Sequence, residues 1–492
     1  MSPAEASAIA LTDSDVANGG DLMVHNCEDC ACAVSGERST RRQLSELPTV
    51  ELVRAAEVLQ IALDDEYRVL FNPAGNGGVV VVNRPAHGIF ESFGTPRTAA
   101  DAVTDARGRG IVTRLLEQGV IHERDHPPVP QFQDSTELTA WLHVTNACNL
   151  RCPYCYVHKS QEHMGDEVGR EAVDALVRSA RANGFRSLRL KYAGGEASLN
   201  SAVLLALHDY AAQQAASSGI ELSAVLLSNG VAISERLAGE LRQRDIRVMI
   251  SLDGIGAAHD AQRPTVNGRP SSPMVSRTID RLVRCGLRPH LSITITNRNL
   301  AAVAEVVRFA LERDLTFSLN FFRDNDCAAS FADLQYQERE MITGVLDAFA
   351  VIGELLPSWS VLGAVLDRGQ LLQPRRRSCG VGDDYVVIDQ HGQVAKCHME
   401  LGATLGDVRT MDPVQAIRRD TSGVRNLLAD QKDGCRTCSW RNWCSGGCSV
   451  ATFRATGRFD VRSPNCNIYR AIYPEALKLE GRRLLKFATA PG

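Results

Sequence analysis

Residues Asn146 to Ser160 read N-A-C-N-L-R-C-P-Y-C-Y-V-H-K-S, and Cys148, Cys152 and Cys155 within them have the spacing C-x3-C-x2-C. This spacing gathers three thiolates on one short loop, a donor set that suits a soft, polynuclear iron site. A structural zinc site instead takes four protein ligands, normally in two separated pairs. Three cysteines can hold three irons of a cubane and leave the fourth open to a substrate or cofactor.

Working outward, the loop follows a candidate strand at Leu138 to Val144. Further strands read at Leu188 to Tyr192, Ser223 to Leu227, Val248 to Leu252, His290 to Thr296 and Phe317 to Phe321. Helical patterns lie between them, as at Val168 to Arg181, Val203 to Ala216 and Ala301 to Arg313. Repeated βα units imply a parallel sheet with right-handed crossovers. Chemistry in parallel barrels sits at the carboxyl ends of the strands. Gly194-Gly195-Glu196 falls after the second strand, Ser228-Asn229-Gly230 after the third, and Ser251-Leu252-Asp253-Gly254, then His259 and Arg263, after the fourth.

A C-x3-C-x2-C loop directly after a strand, with Tyr154 before its last cysteine and a Gly-Gly-Glu turn after the next strand, resembles the radical S-adenosylmethionine (radical SAM) enzymes. The resemblance implies an α/β fold, a partial (β/α)6 parallel barrel over residues 138–360. It also implies that the cluster on Cys148, Cys152 and Cys155 binds the methionine moiety of S-adenosylmethionine through its open iron. Gly194, Gly195 and Glu196 are then expected to meet the methionine amino group. Tyr154, Asn229, Ser251, Asp253 and Arg263 are expected to complete the cofactor site, Ser251 at the ribose or carboxylate and Arg263 at the carboxylate.

The tail carries seven more cysteines. Cys379 is followed at a distance by Gly392 and Cys397; then come Cys435-x2-Cys438-x5-Cys444-x3-Cys448 and finally Cys466. The order resembles the SPASM domain of peptide-modifying radical SAM enzymes, which implies a Cys-rich iron-sulfur domain over 361–492 with two auxiliary 4Fe-4S clusters, three clusters in all. By that resemblance Cys435, Cys438, Cys444 and Cys466 hold one, and Cys379, Cys397 and Cys448 hold the other. The second set lacks the additional cysteine that related maturases carry shortly after the position of Cys379. Asp383, Asp384, a cysteine nearer the start of the chain or the substrate could close it. Cys285 and Cys327 stand alone and read as buried thiols.

The remaining sequence sets limits. The chain has 492 residues, 15 of them cysteine, and a net charge of -4 from 54 basic and 58 acidic side chains. Intermixed charge gives no field suited to nucleic acid or an anionic membrane. The first residues have neither a basic nor an apolar region, and no stretch reaches the length of a membrane span, so a cytoplasmic location is expected. In a reducing compartment many cysteines point to metal ligation rather than disulfides. Residues 1–45 lack periodicity and read as a flexible arm carrying His25, Cys27, Cys30 and Cys32.

Within 46–125, strands at Tyr67 to Phe71 and Val79 to Asn83 joined by a turn, and helices at Pro85 to Phe93 and Gly108 to Gln118, read as a winged-helix-like α+β module. It resembles the peptide-recognition domain of many maturases of ribosomally made peptides, where a leader peptide adds as a strand to the hairpin edge. The proline-rich stretch around His126 to Pro130 marks a linker over 126–137.

The expected function is a radical SAM maturase. It would cleave S-adenosylmethionine to a 5'-deoxyadenosyl radical and install a crosslink, thioether or carbon-carbon, or a similar oxidation on a precursor peptide or small protein. An external one-electron donor, flavodoxin or ferredoxin-like, is implied. The alternatives are a sulfatase-type maturase forming formylglycine from Cys or Ser, and a non-catalytic iron-sulfur scaffold or electron carrier.

Overall fold

The computed structural model describes residues 7–16, 47–363 and 365–488. The first unit comprises strands β1 (Ala10–Leu11), β2 (Leu52–Arg54), β3 (Leu59–Ala62), β4 (Tyr67–Phe71), β5 (Val80–Asn83) and β6 (Ile121–Glu123), with helices α1 (Arg84–Ser92), α2 (Ala99–Ala102) and α3 (Ala106–Glu117). The β4–β5 hairpin and helices α1 and α3 lie where the sequence places them. Asn83 ends β5 and caps α1, accepting from the Ala86 amide at 3.2 Å; Asp105 caps α3 through the Gly108 amide at 2.7 Å. Successive strand residues point to opposite faces. Leu70, Val80 and Val82 therefore pack under Phe90, Ile111 and Leu115, while Val69, Phe71 and Val81 join the main core.

Two expectations for this region need correction. The sheet order is β1-β5-β4-β3, so neither edge of the hairpin is bare. Residues 7–16, which composition places in a flexible arm, supply the covering strand, with Ala10 opposite Val82 and Leu11 opposite Val81. Asn83 brackets the segment, accepting from the Ile9 amide at 2.9 Å and donating to the Ser7 carbonyl at 2.8 Å. Arg114 of α3 donates to the Ala10 carbonyl and pairs with Asp15 at 2.6 Å. Every partner is distant in sequence, so composition gives no sign of a two-residue strand. His25, Cys27, Cys30 and Cys32 lie outside the described residues.

The six barrel strands form as expected: β7 (Glu137–Thr145), β8 (Ser187–Gly194), β9 (Glu221–Ser228), β10 (Ile246–Ser251), β11 (His290–Ile295) and β12 (Phe317–Phe321). They pair in parallel in sequence order. The crossovers are α4 (Asp166–Ala182), α5 (Ser201–Ser217), α6 (Glu235–Gln243), α7 (Ala257–Gln262), α8 (Ser272–Arg284) and α9 (Val303–Leu311). Parallel strands covered on both faces read as continuous apolar runs, and in β7 every residue from Leu138 to Thr145 is buried.

After helix α10 (Glu338–Leu355) the tail continues the same sheet. Its strands are β13 (Tyr385–Ile388), β14 (Gln393–Ala395) and β15 (Thr404–Asp407), followed by α11 (Pro413–Arg419), α12 (Arg441–Cys444), α13 (Ser449–Thr456) and α14 (Cys466–Phe487). β13 pairs in parallel with β7, Tyr385 opposite Thr139 and Ile388 opposite Leu142, giving nine strands in the order β12-β11-β10-β9-β8-β7-β13-β14-β15. The tail also grips the first unit. Trp443 is fully buried, donates to the Pro73 carbonyl at 3.0 Å and packs on Phe71 at 5.0 Å. Arg483 of α14 bonds Asp13 and Glu480, each at 2.6 Å. Among the described residues, no helix is long and apolar enough to cross a membrane.

Candidate active site at the strand ends

The cysteine loop and the Gly-Gly-Glu turn are joined through their backbones. The Gly195 amide donates to the Thr145 carbonyl at 2.7 Å and the Glu196 amide to the Ala147 carbonyl at 2.8 Å. A Cβ on Gly194 would stand 2.4 Å from the Thr145 oxygen, and one on Gly195 would stand 2.5 Å from the Asn146 and Ala147 oxygens. Glycine is required here because the two turns touch.

Glu196 is buried and its carboxylate accepts from Ser198 N at 3.1 Å, Ser228 Oγ at 2.8 Å and Asn229 N at 2.6 Å. It thereby ties the turns after β8 and β9 together. Asn229 in turn donates to Asn149 Oδ1 at 2.8 Å and reaches Cys148 Sγ at 3.8 Å.

These groups line one cavity of about 210 Å3 with Cys148, Cys152, Cys155, Tyr154, Gly194, Gly195, Ser251 and Arg263. Asp253 stands behind that lining, fully buried. It accepts from Tyr154 OH at 2.5 Å, from Arg263 Nε at 2.7 Å and from Thr294 N at 2.8 Å. It holds two cavity residues in place rather than presenting its own oxygens, so the expectation of a direct contact with the cofactor is corrected to a positioning role. His259 also lies behind the wall, its Nδ1 accepting from the Asp253 amide at 3.3 Å, and burial pushes its pKa down to about 4.

The thiols on the cysteine loop lack compensating charge. Burial pushes Cys148 up and Cys152 up to about 12. Lys159 is the cation beside them: burial works against its charge, but the bond it makes to Cys155 and the neighbouring thiols hold its pKa above the usual value. Three sulfurs at a buried cavity wall with one ammonium group form a donor set that metal cations would stabilise as thiolates. Among the described residues no three His, Cys, Asp or Glu side chains converge on a single-ion site. The donor chemistry therefore fits a larger cluster with separated sulfurs.

The tail thiols fall into two groups. Cys397 feels Cys448 and Cys379, and the three pack with Trp141, Val381 and Tyr385. Cys444 feels Cys435, Cys438 and Cys466, and burial pushes it up to about 12. Cys448 behaves differently: burial would raise it, yet Arg323 and Arg368 together hold it below its usual value.

Asp383 pairs with Arg418 at 3.2 Å and Arg377 at 3.6 Å. Asp384 shares a second cavity of about 230 Å3 with Cys379. Burial pushes its pKa up to about 7, and its buried Oδ1 has no hydrogen-bond partner. The two isolated thiols are half-buried rather than buried. Cys285 ends α8 at the margin of the core, and Cys327 Sγ lies 3.6 Å from His158 Nε2.

Sequence reasoning missed Lys159, Trp141, Arg323, Arg368 and His398, all of which line the main cavity. Lys159 lies within the opening stretch, four residues after Cys155, and its type and position offered the one usable signal. The others come from β7, the chain after β12 and the tail, and nothing in their local sequence brings them together.

Residues 142–310 match the profile of the Radical SAM superfamily. A protein of Methanocaldococcus jannaschii is 29% identical over 171 residues, covering 35% of this chain and 57% of its own length. The cysteine-type anaerobic sulfatase-maturating enzyme of Clostridium perfringens is 22% identical over 381 residues, covering 70% of this chain and 96% of its own. The solved structure of anSMEcpe with bound AdoMet and Cp18Cys peptide superposes with a TM-score of 0.55 at 18% identity, over 72% of this chain and 99% of that one. At that identity the likeness speaks for the fold alone. Through residues 142–310 the chain belongs to the radical SAM superfamily of enzymes, which bind S-adenosylmethionine and a 4Fe-4S cluster.

Proposed function

We propose that the chain is a maturase that installs a crosslink, thioether or carbon-carbon, or a similar oxidation on a ribosomally made peptide or small protein. The observation that carries this reading is that one cavity joins the two sulfur-rich regions. Its lining runs from Cys148, Cys152 and Cys155 to Trp141, Arg323, Arg368 and His398, the wall beside Cys397 and Cys448.

Cys148, Cys152 and Cys155 would hold the S-adenosylmethionine cluster. Cys435, Cys438, Cys444 and Cys466 would hold one auxiliary 4Fe-4S cluster, and Cys379, Cys397 and Cys448 another. When bound, these groups supply a carbon radical able to take a hydrogen atom and a sink for one electron, chemistry no side chain can perform.

The chain's own residues bind and orient. Lys159 balances sulfur charge. Tyr154, Gly194, Gly195, Glu196, Asn229, Ser251 and Arg263 shape the cofactor end. The apolar side chains Leu227, Met249, Phe321 and Phe322 keep water from the reacting carbon, where misplacement is costly. The three-cysteine set has room for one more ligand, and Asp384 or a substrate thiolate would fill it. An acidic one-electron carrier of the flavodoxin or ferredoxin type would supply reducing equivalents. The unit at 46–125 would dock the substrate.

The test is to incubate the iron-reconstituted protein with S-adenosylmethionine, reductant and candidate peptides, and to follow 5'-deoxyadenosine and peptide mass. Loss of two hydrogen masses supports the crosslinking reading. Absence of 5'-deoxyadenosine supports a non-catalytic scaffold instead. A second reading, a sulfatase-type maturase, is favoured by the match along 96% of the Clostridium perfringens enzyme. It predicts an aldehyde on a Cys or Ser peptide that an aminooxy probe captures.

A further inference from the structure

We propose that the end of the main cavity nearest Cys397 and Cys448 is a subsite for a carboxylate side chain of the substrate peptide. The proposal rests on the maturase reading above.

At the cysteine-loop end the charges are already engaged. Glu196 accepts three hydrogen bonds, Arg263 binds Asp253 at 2.7 Å, and Lys159 faces Cys155. At the other end two buried N–H donors lack an acceptor. Trp141 is 4% exposed, yet its Nε1 has no hydrogen-bond partner. Arg323 gives Nη2 to Asp367 at 2.6 Å and Nη1 to the Phe321 carbonyl at 3.0 Å, leaving a buried Nε without one. Both residues line the cavity, with Arg368 adding a second guanidinium beside them.

Leaving a buried donor unmet costs about 1–3 kcal/mol, so such groups normally find a partner. The occupant must therefore bring acceptor atoms. The positive field at this end, which also keeps the Cys448 thiol low, favours an anion. Phe321, Phe322 and Met399 line the same space and strip water from it, which strengthens a charge-assisted bond. Between the two side-chain anions a peptide can offer, a carboxylate has two oxygens that match guanidinium and indole N–H geometry. Sulfur is the weaker acceptor.

The test immobilises the iron-reconstituted, S-adenosylmethionine-loaded full chain, passes short random peptides over it and sequences the retained ones by mass spectrometry. Asp and Glu are expected to be enriched at one position by about fivefold over the input, the discrimination of one charge-assisted hydrogen bond. Trp141→Phe keeps the ring and removes only the N–H, and is expected to cut that enrichment at least by half. Arg323→Gln is expected to abolish it. Retained peptides with no acidic preference, enrichment of Cys instead, or an unchanged preference in Trp141→Phe would overturn the subsite. 5'-Deoxyadenosine release from the same preparation separates the two readings. Turnover together with peptide capture but no acidic preference sinks the subsite alone. Failure to retain any peptide sinks the maturase reading and the subsite with it.

Discussion

A carboxylate that accepts three hydrogen bonds inside the protein keeps both its charge and its place. Glu196→Gln would set an amide N–H2 group against donors on Ser198, Ser228 or Asn229. Loss of a charge-assisted bond costs about 1.5–3 kcal/mol, so binding of S-adenosylmethionine, measured by calorimetry, is expected to weaken about tenfold or more.

Asp384 gives the opposite case. Its carboxyl titrates near 7 in the folded chain against an ordinary 3.8. The folded state favours the protonated form, so the stability this group confers is whole below the unfolded value and is lost as pH rises through about 7. Asp384→Asn is therefore expected to gain stability over the parent between about pH 6 and pH 8, by up to about 4 kcal/mol over the full titration. Urea melts of the reconstituted proteins at the two pH values check this.

At this scale the sequence was readable where chemistry is local. Three cysteines and a Gly-Gly-Glu turn identify themselves by type and spacing. Trp141 and Arg323 do not, because an indole on an apolar strand and a lone arginine have ordinary structural roles until the cavity wall brings them together.

At the scale of elements, the packing of one turn on another decides the site. Gly195→Ala puts a Cβ 2.5 Å from two backbone oxygens, which cannot swing away as a side chain could. The turn must lift off the cysteine loop, at about 1–3 kcal/mol. Lower iron content after reconstitution and a lower denaturation midpoint are the expected readouts.

The six barrel strands were legible because a strand buried on both faces is an unbroken apolar run. β1 and β3 were not. β3 alternates half-buried and exposed residues over four positions, and β1 has only two. Their existence depends on partners far along the chain, which periodicity does not detect.

Across the whole molecule, the first unit and the last helix share a charged core. Arg483 is 1% exposed and faces Asp13 and Glu480, themselves nearly as buried. Arg483→Leu would leave two carboxylates without their cation in a dry interior. Breaking a buried pair in this way costs about 3–5 kcal/mol, and thermal unfolding is expected to shift down accordingly. Asp13→Asn should cost less, since Glu480 still balances Arg483.

The division of the chain into arm, module, barrel and tail follows composition and motif spacing. The parallel pairing of β13 with β7 does not, because two short apolar segments more than two hundred residues apart carry no mark of their register.

That pairing has a mechanical result. β7, whose end aims the cysteine loop, is bonded on one flank to the strand carrying the glycine turn and on the other to a strand of the tail hairpin that leads to Cys397. It cannot slip by a single residue without tearing both ladders at once. The two metal-holding regions are therefore fastened to opposite sides of a single stiff rib, and the span a substrate must bridge between them is set by the sheet rather than by the substrate.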